Sequence, residues 1–408
     1  MSTRAWRAAR LKHMVQRVRN GVWGEDPHEN GSDVACVRAA DFDRQRLRVK
    51  ADGLPFRYVD GNALAAHRLV PGDLILEKSG GGERQPVGAA VLFDLDIAAV
   101  CSNFCARLRP ANDIDPRFLN YSLAAAYYLG ISERSVKQTT GIQNLDTDEF
   151  LATRWSYPDA GEQRRIADFL DAETARIDRL QDSLHAVLAL LTERDAATCD
   201  AAFAGSARRV QLRRIVTRWI DYRGATPTKT STGVPLITAR NLSGGRIDHE
   251  RSPEYISADD YRDWMRRGLP RPGDVLLTTE APLGEVAILQ DAGVALAQRI
   301  ILMRTGEQLP GQWIYWYFRS PLGKSELLKR ATGSTALGIK ADTLRSVPIP
   351  TFDNAQMRQR IEHIESRFRD TDRLRVPVRR QLDLLRERRQ ALITSAVTGQ
   401  SDLSGYRR

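Results

Sequence analysis

Cysteine is scarce in this chain. There are four (Cys36, Cys101, Cys105 and Cys199), with no Cys-x-x-Cys pair and no histidine at zinc-finger spacing. Cys101 and Cys105 flank Phe104 in an alternating run that reads as strand, so they are expected as small buried hydrophobes rather than metal ligands. The six histidines are scattered, with no pair at ligand spacing, so no metal site is expected. No apolar run approaches the roughly 18–20 residues of a membrane-spanning helix, which excludes that class. The Arg-rich, acid-poor stretch Arg4–Arg19 has the character of a transit peptide, but Arg208–Arg218 repeats it deep inside the chain, so it belongs to a domain. The expected address is a reducing cytoplasm.

Signatures of chemistry are missing too. Gly80-Gly81-Gly82 is not followed by the Gly-Lys-Ser/Thr of a phosphate loop and reads as a surface loop. No Asn or Asp precedes a Pro-Pro-aromatic turn, as adenine methylation would need. A paired-acid-plus-lysine nuclease read into Asp73, Glu77 and Lys78 fails on geometry. Adjacent strand residues such as Glu77 and Lys78 point to opposite faces, and the related segment later in the chain has Thr278 and Thr279 there. No catalytic residue and no cofactor are expected.

What is abundant is arginine. The chain has 408 residues, 61 Lys+Arg against 51 Asp+Glu, and a formal net charge of +10. Its length exceeds what one hydrophobic core usually supports. Guanidinium forks suit phosphate and guanine edges, so the charge is compatible with a polyanionic partner without proving one.

The sequence also repeats itself. Pro71-Gly72-Asp73-Leu74-Ile75-Leu76 recurs about 200 positions later as Pro272-Gly273-Asp274-Val275-Leu276-Leu277. In the same order, Val37–Phe42 answers Ile237–Leu242, Tyr58-Val59 answers Tyr255-Ile256, and Gly88–Leu92 answers Gly284–Ile288. Thr140–Leu145 then answers Thr332–Leu337, and Leu190–Arg194 answers Leu384–Arg388. One Pro-Gly-Asp is a generic turn; matches kept in order over two half-chains point to tandem duplication.

In each copy, strand-like runs come first: Asp73–Leu76, Ala89–Phe93, Val275–Thr278 and Gln298–Met303. An aromatic-rich helical stretch comes next, Pro116–Gly130 or Gly311–Arg330, and then a long amphipathic segment. From Gly161 to about Asp200 there is no proline and no internal glycine, and Leu170, Ile177, Leu184 and Leu191 recur every seven residues, with Ile166, Leu180 and Val187 on the companion seam. Ile361, Ile364, Phe368, Val378, Leu382, Leu385 and Leu392 keep the same scheme, weakened where Thr371 and Arg375 take seam positions and Pro377 should kink or break the helix.

The expected fold class is α+β: two recognition domains in tandem, residues 1–158 and 206–352, each followed by a long helix, 159–205 and 353–408. The helices are expected to pair as an antiparallel coiled coil with pseudo-twofold symmetry, Ile166, Leu170, Ile177, Leu184 and Leu191 facing Phe368, Val378, Leu382 and Leu385. A helix of ~38 residues spans ~55 Å, enough to hold two readers on major-groove stretches at least one turn of ~34 Å apart. The loop Lys78–Arg84 differs from its counterpart Thr279–Gly284, so the bipartite duplex DNA target should be asymmetric. Candidate DNA contacts are Arg38, Lys78, Arg84, Arg134, Lys137 and Gln143 in the first copy, and Lys229, Arg240, Arg246, Lys329 and Lys340 in the second. The alternative is a coiled-coil scaffold or adapter whose repeated domains bind protein.

Gly161–Asp171, reading GEQRRIADFLD, continues through Glu173-Thr174-Ala175-Arg176-Ile177-Asp178 and resembles the central conserved helix of type I restriction-modification specificity subunits. Leu385–Gly399 resembles that family's C-terminal conserved region, and the Pro-Gly-Asp strands and Thr-Gly loops resemble its target recognition domains. The resemblance implies a subunit without chemistry of its own that recruits two adenine-methyltransferase subunits and then restriction subunits. Arg164, Arg165 and Arg176 would face the methyltransferase. The second helix departs from the pattern, opening as Met357-Arg358-Gln359-Arg360-Ile361 and containing Pro377.

Overall fold

A computed structural model describes residues 6–29, 31–82, 85–139, 141–206, 208–222, 226–306, 309–333 and 337–400. The chain forms two compact units, residues 1–185 with 379–408, and residues 186–378.

In the first unit, a six-stranded sheet runs in the order Val15–Asn20, Cys105–Pro110, Leu74–Glu77, Ala90–Leu92, Arg48–Val49, Phe42–Asp43. A smaller sheet holds Phe56–Arg57, Val34–Val37 and Ala99–Cys101, the last two parallel. Strand Arg7–Arg10 pairs with Arg154–Tyr157, and Val136–Thr139 forms a hairpin with Ile142–Leu145. Side chains alternate across a strand, and here both faces are covered. Leu74 and Leu76 join the core formed with helix Pro116–Tyr128, whereas Ile75 joins a second core with Val37, Phe93 and Cys101. A strand buried on both sides needs a continuous apolar run, and Leu74-Ile75-Leu76 supplies it directly after the turn.

The second unit builds the same local order from its own residues. Strands Val216–Asp221, Ile300–Thr305, Val275–Thr279 and Leu283–Ile288 form one sheet. Val234–Ile237 lies parallel to Ala295–Leu296 and antiparallel to Tyr255–Ile256, while Arg208–Gln211 pairs with Pro348–Thr351. Val275 and Leu277 face one core and Leu276 another.

The Pro-Gly-Asp turns are structural. Gly72 and Gly273 hold φ of 97° and 89°, which glycine adopts without Cβ strain. Asp73 accepts two hydrogen bonds from Arg109 at 2.8 Å and one from the Val70 N–H at 3.0 Å. Asp274 does the same with Arg304 at 2.7 Å and the Arg271 N–H at 2.7 Å. Each aspartate is buried and neutralised by an arginine from the neighbouring strand.

Two expectations about helices are corrected. The stretch Gly311–Arg330 is not one helix but two, Gly311–Arg319 and Pro321–Leu328. Pro321 cannot donate to the preceding turn, and Ser320 caps the second helix through Gly323 N at 3.0 Å. Conversely, Pro377 does not break the second long helix, which runs over Asn354–Val397. Arg373, whose carbonyl loses its i+4 donor, and Pro377 are both exposed, so water can serve that carbonyl.

The first long helix spans Ala160–Phe203, 44 residues, capped at Glu162 N by Asp159 at 2.9 Å. In the first unit its early turns meet the last turns of the other long helix. Ile166, Ala167 and Leu170 share a core with Ile393, Ala396 and Val397, and Arg389 bonds Asp178 at 2.6 Å and the Thr174 carbonyl at 3.3 Å. In the second unit its later turns meet the early turns of that helix. Cys199 and Phe203 share a core with Met357, Ile361 and Ile364, Arg375 pairs with Asp195 at 2.7 Å, and Arg194 bonds Thr371. In both units rising numbers on one helix meet falling numbers on the other. The polar seam residues Thr371 and Arg375 are thus partnered. The companion seam is only partly buried: Ile166 is covered, but Leu180 and Val187 are 48% and 40% exposed.

Candidate nucleic-acid interface

In the first unit the loop leaving Leu74–Glu77 is stitched to two neighbours. The N–H groups of Lys78 and Ser79 donate to the Phe104 carbonyl at 2.9 and 3.1 Å, and Leu145 N donates back to the Lys78 carbonyl at 2.7 Å. Side chains complete the edge: Lys78 Nζ donates to Asn20 Oδ1 at 2.7 Å, and Ser79 Oγ to Asn144 Oδ1 at 2.6 Å. Gln143 accepts from Val87 N at 3.3 Å through its side chain and from Gly80 N at 3.1 Å through its carbonyl. The result is a fixed edge of amide, hydroxyl and ammonium groups beside two exposed apolar side chains, Phe104 and Ile142, 48% and 50% exposed.

The second unit repeats the backbone and changes the chemistry. Thr279 N donates to the Arg299 carbonyl at 2.8 Å and Ile339 N to the Thr279 carbonyl at 2.9 Å. Glu280 bridges Gly338 as Ser79 bridges Asn144. The position of Phe104 is therefore held by Arg299, which pairs with Glu280 at 2.9 Å. One frame thus presents Lys78, Ser79, Asn144 and Phe104 in one unit, and Thr279, Glu280, Gly338 and Arg299 in the other.

Of the residues expected from sequence, Lys78 and Gln143 are brought together at this edge. Lys137 lies on the adjoining hairpin, exposed, its ammonium on Asp146 at 2.7 Å; the bond raises the lysine and lowers the aspartate from their ordinary values. Arg134 is exposed on the turn before that hairpin. Arg84 lies outside the described residues. Arg38 is held elsewhere, forked onto Asp41 at 3.0 and 2.8 Å; that hydrogen bond raises its pKa further. In the second unit Lys229 pairs with Glu254 at 2.7 Å, Arg246 with Asp372 at 3.4 Å and Lys329 with Glu326 at 3.0 Å. Arg240 is exposed, and Lys340 precedes the short helix Ala341–Arg345, also exposed.

Sequence reasoning did not name Asn20, Phe104, Asn144 or Arg299 as site residues, and reached Ser79 and Glu280 only as members of the two diverging loops. Their only available signal was their position beside the Pro-Gly-Asp strand and its partners, since strand pairing brings Phe104 to Lys78 from 26 residues away.

On the long helices Ile166, Leu170, Ile177, Leu191 and Leu382 are buried, whereas Leu184, Phe368, Val378 and Leu385 are half-buried. Arg164, Arg165 and Arg176 are exposed, Arg165 pairing with Glu162 at 3.1 Å. All four cysteines are free and buried. Burial pushes the thiols up, to about 11 for Cys36 and about 12 for Cys105 and Cys199, so they behave as apolar groups. Among the described residues no cluster could hold a metal ion, and no helix is long and apolar enough to cross a membrane. The acids of the nuclease reading are committed: Asp73 to Arg109, and buried Glu77 to Arg44 at 2.7 Å.

Residues 64–188 match the family model of the type I restriction modification DNA specificity domain. No curated protein matches the chain in sequence. Among solved structures, one from a study of complex assembly and conformational transition of the type I R-M system covers 98% of this chain and 100% of its own, at 18% identity and a TM-score of 0.67. The HsdS subunit from Thermoanaerobacter tengcongensis is 17% identical with a TM-score of 0.44, covering 97% of each chain. The type I S subunit from M. genitalium is 11% identical with a TM-score of 0.40, covering 99% of this chain and 98% of its own. The first likeness establishes the fold, a mixed α+β one, and the sequence match establishes the kind of domain. Residues 64–188 are thus similar to the DNA specificity domain of type I restriction-modification systems, and the chain as a whole shares the fold of a structure from such a system.

Proposed function

We propose that the chain reads a bipartite, asymmetric duplex DNA target and carries no chemistry of its own. Residues 1–158 and 206–352 act as two target recognition domains. The long helices of the segments 159–205 and 353–408, Ala160–Phe203 and Asn354–Val397, pair as an antiparallel coiled coil with pseudo-twofold symmetry and set the unread spacer. The observation that supports this most directly is the repeated frame with divergent side chains. Positions equivalent in backbone hydrogen bonding carry Ser79 and Phe104 in one unit but Glu280 and Arg299 in the other. A hydroxyl and an aromatic ring cannot select the same base edges as a carboxylate and a guanidinium.

Two adenine-methyltransferase subunits would dock on the helices, Arg164, Arg165 and Arg176 among the contacts, and restriction subunits would join the complex. The free cysteines fit a reducing cytoplasm. Mapping methylated adenines genome-wide with and without this gene tests the reading. A two-part motif with unlike halves, lost on deletion, is the expected result; a palindromic motif, or none, would refute it.

A further inference from the structure

The first unit contains a cavity of about 300 Å³ that the DNA-reading edge does not use. Its floor is apolar, formed by Leu47, Ala90 and Ala124 beside the rings of Tyr127 and Tyr128; its wall carries Arg44, Arg386 and Arg389. Arg389 is only 4% exposed, and Arg44 is half-buried. Each guanidinium has an acid partner: Glu77 bonds Arg44 at 2.7 Å, Asp178 bonds Arg389 at 2.6 Å and Asp383 bonds Arg386 at 3.2 Å. Arg389 Nε and Arg44 Nη1 are buried donors with no acceptor. A guanidinium has five N–H donors in a fixed fork, and leaving buried ones unused is costly. No carboxylate lines the cavity. Burial raises both tyrosines, so their rings stay neutral and do not oppose an anion.

The second unit supplies an internal control. Its cavity at the corresponding residues is about 240 Å³, with Gly244 where the first unit has Arg44, Glu285 where it has Ala89, and Asp195 where it has Arg389. The same place thus has two acids in one unit and none in the other. Shared folding constraints do not require that difference.

We infer that the first unit's cavity binds a small organic anion, with a flat, partly apolar body against the tyrosines and alanines and a phosphate or carboxylate on the guanidinium groups of Arg44 and Arg386 that line its wall. Gln181, 3% exposed, and Gln390 supply amide groups at the cavity edge. The volume lies at the lower end of small-molecule sites. The site draws on the recognition domain and on both long helices within one unit, so an occupant would tie the reader to its helical support. The inference goes beyond DNA reading and does not depend on it.

The test is titration calorimetry on the full chain without DNA, backed by thermal melting. The probes are adenosine 5′-monophosphate and 4-hydroxybenzoate, compared with orthophosphate and uncharged adenosine. Saturable binding of at least one organic anion below about 1 mM is expected, with a concentration-dependent rise in Tm. Arg44→Gln and Arg386→Glu should each weaken it about tenfold or more, while Lys324→Glu, at the second unit's cavity, should leave it unchanged. Arg386 is exposed, so that variant folds even if Arg44→Gln does not. Binding by neither organic anion, equal binding of orthophosphate or adenosine, or affinity indifferent to Arg386→Glu would each overturn the inference.

Discussion

Asp73 and Asp274 show how a motif that invites a catalytic reading is consumed by the fold. Each carboxylate is buried, takes a bidentate arginine and closes its own turn. Removing the arginine leaves a buried charge held only by the backbone N–H of its own turn. Arg109→Met is therefore expected to cost about 3 kcal/mol in urea unfolding, with a similar loss for Arg304→Met. A loss under ~0.5 kcal/mol would show that water reaches Asp73. Lys78 is a different case, its ammonium exposed and held by the neutral Asn20 amide. If it meets a phosphate, Lys78→Met should lower the slope of log K against log salt by about 1 and weaken all sequences alike. An unchanged slope would remove Lys78 from the interface. Sequence pointed to Lys78 but not to Phe104 or Arg299, because a reader's side chains are chosen by its target, not by any periodic rule.

At the scale of elements, the heptad pattern announced the long helices but overstated their buried seam. Leu170 and Ile177 are 0% and 2% exposed, while Leu180, equally apolar, is 48% exposed. Leu170→Ala should therefore cost ~2–5 kcal/mol, and Leu180→Ala no more than ~0.5 kcal/mol; comparable losses would mean that Leu180 is covered in solution. Leu184, half-buried, should fall between, near ~1 kcal/mol. Pro377 sits in an exposed turn of a continuous helix. Pro377→Ala restores an N–H donor and should raise stability by on the order of 1–3 kcal/mol. A lower Tm would show that the proline itself is required at that turn.

At the scale of the whole molecule, the proposal makes affinity electrostatic and specificity local. Retention on duplex DNA should fall steeply between ~50 and ~200 mM salt, by ~10³–10⁵ for 6–10 phosphate contacts. Salt-independent binding would point to a protein-binding adapter instead. Converting Ser79→Glu and Phe104→Arg together places the second unit's side chains on the first unit's frame. The methylation motif should then change in one half only; a change in both halves, or in the spacer, would argue that the units do not read independently.

The sequence by itself pointed to an internal repeat, and showed that each half joins strands to a helix and then to a long amphipathic helix. These features obey local rules: turn residues, side-chain alternation and helical periodicity are written in neighbouring positions. Only the tertiary structure decided which arginine neutralises Asp73, that Phe104 and Arg299 occupy equivalent places, and which apolar residues of the long helices are covered. Those outcomes depend on partners tens to hundreds of residues away, and no local pattern encodes a contact whose other half lies elsewhere in the chain.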